Sequence, residues 1–359
     1  MVIRLTETGW ETEVGEDLGL WTENTDYTLE GKEDRLILNA DVEVRTGGGS
    51  DYLLGVDGIG DNSNRDSGSG IAIGRGLQGE AGILKTEDGN DVLVGTARNS
   101  RRAIGIHNRG IIDTGKGKDF ISGNATPREA IAGNINYGII NDSLSTISTG
   151  EGNDSIFGRA KARVSRGIAN YSDISTGEGD DSIIGIAEAK SNGGVGGRIG
   201  IRQTNLGTID MGDGEDLIRG EGRTLGIENP GSINIGIENG GVINMGKGND
   251  TVDALTGGFS RSGISVGTVN LGKGEDLILG YGEQIVDGGE GYDTAMMGIN
   301  KGDAGIFISG ASGSTVDLPD VAFSGNSEEP FKVEIGTMTF INVEQFIFND
   351  FVISVETIF

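Results

Sequence analysis

Cysteine is absent from all 359 residues, and proline occurs only four times. Without Cys there is no disulfide scaffold and no thiolate zinc or iron–sulfur site. Aromatic residues make up 5% of the chain, and apolar stretches are only a handful of residues long. No segment is therefore long and apolar enough to cross a membrane as a helix. The start, Met1-Val2-Ile3-Arg4-Leu5-Thr6-Glu7, lacks a basic stretch followed by an apolar one, so a cleaved export signal is not expected. Basic residues are scarce as well: 28 against 55 acidic ones, a net charge of −27. That balance disfavours nucleic acid and anionic membrane as direct partners and favours cations. Acidic, aromatic-poor chains can be disordered, but here the 35% of apolar residues recur periodically, which argues for order.

What is abundant is glycine, 67 residues of it. The placement is too uneven for collagen and instead marks a repeat. The string Gly-x-Gly-x-Asp occurs at Gly47-Gly48-Gly49-Ser50-Asp51, then with Gly115, Gly117 and Asp119, with Gly150, Gly152 and Asp154, and with Gly177, Gly179 and Asp181. It continues with Gly212, Gly214 and Asp216, with Gly246, Gly248 and Asp250, with Gly272, Gly274 and Asp276, and with Gly289, Gly291 and Asp293. A ninth copy ends at Asp91 and has Glu87 in place of the first glycine. An aliphatic residue precedes each turn (Ile112, Ile147 and Ile174 are examples) and another follows two residues after the Asp (Ile121, Ile156, Ile183). A further glycine often closes the unit four residues after the Asp, as at Gly123, Gly158 and Gly185. The unit reads strand, glycine turn, strand.

A second motif lies upstream: Gly105-Ile106-His107-Asn108, Gly138-Ile139-Ile140-Asn141, Gly167-Ile168-Ala169-Asn170, Gly226-Ile227-Glu228-Asn229 and Gly236-Ile237-Glu238-Asn239, with Gly200-Ile201-Arg202-Gln203 a close variant. It suggests an inward Ile followed by a corner amide that stacks on its counterpart in the next coil. Successive turn aspartates are 40, 28, 35, 27, 35, 34, 26 and 17 residues apart. A coil of about 26–35 residues holds three short strands, which predicts an all-β, right-handed parallel β-solenoid. The last interval is too short for three sides, so the solenoid should narrow near residue 290. Both tryptophans, Trp10 and Trp21, fall early, and eight of eleven phenylalanines lie beyond residue 300. The expected division is an N-terminal cap over 1–40, the solenoid over 41–298 and a β-rich C-terminal cap over 299–359, because a solenoid needs covered ends.

In such a stack equivalent residues lie about 4.8 Å apart, so the aspartates form a column of carboxylates. At that spacing each adjacent pair repels by about 0.8 kcal/mol in water and about 3 kcal/mol at an effective dielectric of 20. Glu151, Glu178, Asp180, Asp213, Glu215, Glu275 and Glu290 add further acid to the turns. Calcium suits the column, since it takes six to eight hard oxygens in flexible geometry whereas Mg²⁺ demands a rigid octahedron. Glycines at positive φ can turn carbonyls toward the same centre. About eight Ca²⁺ ions are expected, with Asp51, Asp91 and Asp293 the weaker positions.

Gly288-Gly289-Glu290-Gly291-Tyr292-Asp293-Thr294-Ala295 closely resembles the glycine-rich nonapeptide of RTX, or hemolysin-type calcium-binding, proteins, and Val343-Glu344-Gln345-Phe346-Ile347-Phe348-Asn349-Asp350 resembles the segment that closes their arrays. The resemblance implies Ca²⁺-dependent folding outside the cell after type I secretion through an uncleaved C-terminal signal, to which Phe351–Phe359 bears a slight likeness. It covers the turns and not the spacers, since the family's nonapeptides run in tandem. The expected function is a non-enzymatic, calcium-binding structural or adhesive solenoid, secreted or at a bacterial cell surface, with polysaccharide or surface matrix as partner. Two rivals are a carbohydrate-active β-helix with a basic groove (Arg98-Asn99-Ser100-Arg101-Arg102 and Arg159-Ala160-Lys161-Ala162-Arg163) and a self-assembling layer or filament. With one His and no Cys, most nucleophile–base pairs are missing. His107 is expected to be exposed.

Overall fold

The structure, a computed structural model, describes residues 2–6, 9–13, 26–27, 36–38, 43–45, 49–57, 67–74, 81–98, 102–127, 134–190, 196–226, 232–261, 266–303, 305–309, 322–324 and 332–354. Three long sheets, of eight, thirteen and twelve strands, run side by side along the chain's stacked coils. In one coil the chain passes from the first sheet (Asn136–Asn141) round the amide corner to the second (Thr146–Ser148), then through the glycine turn to the third (Ser155–Lys161). Each strand pairs in parallel with its counterparts above and below. The fold is thus a parallel β-solenoid, with no α-helix among the described residues.

Three aliphatic residues fill each rung. Ile139, Ile147 and Ile156 stack on Ile168, Ile174 and Ile183, and all are buried. Burying three such side chains contributes about 5–9 kcal/mol, far less than the entropy of ordering a coil of this length. A rung is therefore stable only in the stack.

The two further glycine series have a common explanation. A Cβ on Gly123, Gly158 or Gly185 of the third sheet would be driven into the carbonyl oxygen of Gly138, Gly167 or Gly200 of the first. The two sheets touch backbone to backbone along this line. Beyond it lies a second, thinner core that includes Ala97, Ala103, Ala125 and Ala160.

The amide corner is confirmed as a ladder. Asn108 Nδ2 donates to Asn141 Oδ1 at 2.8 Å, and Asn141 Nδ2 to Asn170 Oδ1 at 2.9 Å. The same amides reach the carbonyls of Thr146 and Asp173, which start the second-sheet strands of the next rung. Gln203 and Asn239 hold the corners of the following rungs through Val242 O and Thr268 O. Asn229, expected in this series, lies outside the described residues.

The first sheet ends at Phe259–Arg261, so the solenoid narrows to two sides as the 17-residue interval requires. The next rung, Ile285–Gly291 and Thr294–Met296, is followed by a tenth, Met338–Ile341 and Gln345–Ile347, within the segment expected to be a cap. Antiparallel pairing then sets in: in the second sheet Lys332–Ile335 and Ile306–Ser309 follow in turn, with Ala322–Ser324 outermost, and in the third sheet Val352–Ser354 comes last. Of the expected N-terminal cap, Val2–Thr6 and Gly9–Glu13 form an antiparallel pair, while Asp26–Tyr27 and Leu36–Leu38 already pair with the solenoid. Trp21, residues 58–61 and residues 355–359 lie outside the described residues.

The glycine contact line makes a prediction. Gly158→Ala is expected to lower stability by at least about 2 kcal/mol, although an alanine at that backbone conformation is otherwise harmless. Ser155→Ala, on the outer face, should change it by less than about 0.5 kcal/mol. Paired thermal melts of the two variants measure the difference.

Candidate metal centre

Each glycine turn leaves the second sheet, reverses over six residues and enters the third. Gly115 and Gly117 have φ of 88° and 134°, and the later pairs follow the same pattern. In the copy lacking its first glycine, Glu87 takes φ 66°, so the turn keeps its shape at the cost of strain. Stacking adds a second demand. A Cβ on Gly152 would meet the carbonyl of Gly117, and one on Gly179 the carbonyl of Gly152. The glycines are thus needed for the stack itself, whatever the turn binds.

The aspartates stack inside the turn, all with 2% exposure or less. Their carboxylates tie the rungs together. Asp91 N–H donates to Asp119 Oδ1 at 2.8 Å, Asp119 N–H to Asp154 Oδ1 at 2.7 Å, and Asp154 N–H to Asp181 Oδ1 at 2.7 Å. The chain of bonds runs on through Asp216, Asp250 and Asp276 to Asp293, and Asp51 N–H joins it at Asp91. The second oxygen is different. Oδ2 of Asp91, Asp119, Asp154, Asp181, Asp216, Asp250, Asp276 and Asp293 is buried without a hydrogen-bond partner. A buried, unpaired carboxylate oxygen is costly, and here eight are aligned.

Sequence reasoning missed two parts of this site. A column of buried hydroxyls, Thr86, Thr114, Thr149 and Thr176, precedes the first four of these turns. Each hydroxyl donates to the carbonyl of the next residue in the column, and lies near enough to its own turn's Asp to moderate the rise in pKa that burial causes at Asp91, Asp119, Asp154 and Asp181. From Met211 through Met245 to Leu271 the column becomes apolar. The second missed residue is Glu344, whose Oε2 accepts the N–H of Asp293 at 2.8 Å and so ends the ladder. Phe346, two residues on, occupies the same place as the aliphatic residue after each turn Asp, a signal visible in the sequence.

The other turn acids are separated from this column. Glu151, Glu178, Asp180, Asp213, Glu215, Glu275 and Glu290 all face solvent on the outer rim. Three meet lysines: Lys116–Glu151 at 2.5 Å, Lys247–Asp213 at 2.6 Å and Lys273–Glu290 at 2.8 Å. Pairs this exposed are screened by solvent and add little to stability. Among the described residues no three Asp, Glu or His side chains converge on one point. Each turn thus offers a single buried carboxylate, with backbone carbonyls as the remaining oxygen donors.

Burial pushes the carboxyls up to about 7 at Asp91, Asp181, Asp216, Asp250 and Asp293, and to about 6 at Asp119, with neighbouring carboxylates adding to the effect. Asp154 and Asp276 are raised by burial too.

The remaining candidates fall elsewhere. His107 is mostly buried, not exposed: its side chain is 14% accessible, Arg109 Nε donates to its Nε2 at 3.1 Å, and burial and Arg109 lower its pKa. Of the basic clusters, Arg101 lies outside the described residues. Arg159 and Lys161 converge with Arg223 on buried Glu188. Burial raises the Glu188 pKa, and these cations more than reverse it. Comparison with protein-family models, with curated proteins and with solved structures gives no match to this chain.

The raised pKa values set a pH dependence for the cation-free protein. An aspartate in the unfolded chain titrates near 3.9. The folded turns hold protons that the unfolded chain releases between about pH 4 and 7, so stability is greatest near pH 4 and falls as pH rises to about 7. Chelated protein melted across this range should show that decline. Asp216→Asn, which removes a buried charge while keeping the side chain's shape, should raise the pH at which chelated protein loses its β spectrum.

Proposed function

We propose that the chain is a calcium-binding structural or adhesive solenoid of the secreted or cell-surface kind, folded by the ions its turns collect. The observation that carries this reading is the row of eight buried Oδ2 atoms without partners. A divalent cation beside each would neutralise the carboxylate that burial otherwise penalises. Asp91, Asp119, Asp154, Asp181, Asp216, Asp250, Asp276 and Asp293 would supply the charged ligand, and carbonyls of the glycine turns the neutral ones. Such a mixture, one carboxylate per turn with the rest carbonyl and water, suits Ca²⁺ better than Mg²⁺. Eight ions would bring +16 against −27, leaving −11 and a protein still acidic.

Weak sites of about 10⁻⁴–10⁻³ M match the millimolar Ca²⁺ found outside cells and would leave the chain unfolded where calcium is low. That dependence, with the resemblance of the turns to the RTX repeat, supports export before folding. The outer rim, one charged side chain per rung from Lys116 to Glu290, offers a surface matrix or polysaccharide a regularly spaced, charged contact.

The test is a far-UV circular dichroism titration at pH 7.5 after chelation. Addition of Ca²⁺ to millimolar levels is expected to restore a full β spectrum, and Mg²⁺ at the same level is not. Calorimetry should count fewer ions for Asp216→Asn than for the parent. A complete β spectrum in chelator, indifferent to either ion, would contradict the reading.

A further inference from the structure

The outer face of the third sheet carries a second pattern that the turns do not explain. One outward column runs through ten rungs in strict register: Leu54, Val94, Ser122, Phe157, Ile184, Arg219, Asp253, Leu279, Met296 and Ile347. Seven of the ten are apolar, and apart from the buried Ser122 and the more open Arg219 they are partly exposed. The adjacent outward column adds Phe120, at 37% exposure, and Leu217 and Leu277. Parallel sheets are ordinarily covered on both faces, and an apolar strip of this extent marks an interaction surface.

We infer that this face docks on the same face of a second copy of the chain, through a two-fold axis that passes between the rungs of Arg219 and Asp253. The column is close to a palindrome about that point. The axis sets Arg219 against Asp253 of the second copy, Ile184 against its Leu279, and Phe157 against its Met296. An isologous contact requires this self-complementarity.

Charge selects the same occupant. Within a chain of net charge −27 these two columns hold only Arg219 and Asp253, which already meet at 3.5 Å, while Glu221 of the flanking column lies nearer to Arg219, at 2.6 Å. The strip is therefore neutral. It offers nothing to a basic partner and lets two acidic copies approach. The axis overlaps eight rungs at about 4.8 Å each, and a strip about 14 Å wide then covers roughly 540 Å² per copy. The total of about 1,100 Å² just passes the ~1,000 Å² that a specific interface needs and falls in the range of weak, reversible association.

Sedimentation equilibrium in millimolar Ca²⁺ tests this, with circular dichroism confirming that each sample is folded, so that a failure of calcium-dependent folding is seen separately. The parent is expected to reach twice 37.3 kDa by about 100 μM. Ile184→Lys should weaken association about tenfold or more without changing the spectrum. D253R should weaken it as well, by setting like charges across the axis. A folded parent that stays monomeric at about 100 μM, or one whose dimer is indifferent to Ile184→Lys, would overturn the inference.

Discussion

Each turn aspartate does two things with one carboxylate, and the rest of the solenoid depends on the combination. One oxygen accepts the N–H of the aspartate in the preceding rung, at 2.7–3.0 Å along the column from Asp51 to Asp293. That bond fixes the height of one turn over the next and, through the turns, the register of the second and third sheets. It also pulls the second oxygen out of water. The bond that aligns the rungs therefore creates the charge that opposes them. A proton or a bound cation would resolve the conflict, and which of the two does so depends on pH and on the cations present.

The remaining contacts are arranged so that this column can exist at all. With three aliphatic residues per rung the core is too thin to impose register alone, and the Asn ladder at the opposite corner supplies a second set of inter-rung bonds. Glycine permits positive φ in the turn and the approach of one turn's carbonyl to the next, so no other residue serves both ends of that contact. Where Glu87 breaks the rule, the turn keeps its shape and Asp91 stays buried, which indicates that the stack dominates local preference. The ends are managed differently. Glu344 supplies the last carboxylate on a longer arm, and antiparallel strands such as Val352–Ser354 turn the open edges away from further parallel pairing.

Much of this was legible in the sequence, because a solenoid repeats its physics. The spacing of Ile147, Ile156 and their equivalents located the second and third sheets, and the 17-residue interval located the loss of the first. Asn108, Asn141 and Asn170 were readable as a ladder because one amide can donate to the next only in stacked coils. Other features were hidden for identifiable reasons. The acids of the turn look alike in sequence, yet Asp181 is buried while its neighbour Asp180 faces solvent, and only the alternation of inward and outward side chains separates them. Glu344 escaped because its turn lacks the glycines that flagged the others. His107 was misjudged because its partners, Arg109 two residues on and Asp142 in the next rung, belong to no motif that the sequence displays. The glycine contact between the first and third sheets requires the cross-section, which periodicity does not contain.

The distribution of charge follows from the same arrangement. The column acids lie inside the turns, acids and lysines on the rim screen one another, and the two outward columns of the third sheet nearest the turns hold only Arg219 and Asp253 as charged residues. The central claim, that divalent cations complete the buried carboxylates, is tested most directly by a crystal structure from millimolar Ca²⁺ with anomalous difference maps. The account predicts a peak within about 2.3–2.6 Å of Oδ2 at each of the turns from Asp91 to Asp293. Intact, aligned turns whose Oδ2 atoms meet only protein or water would contradict it.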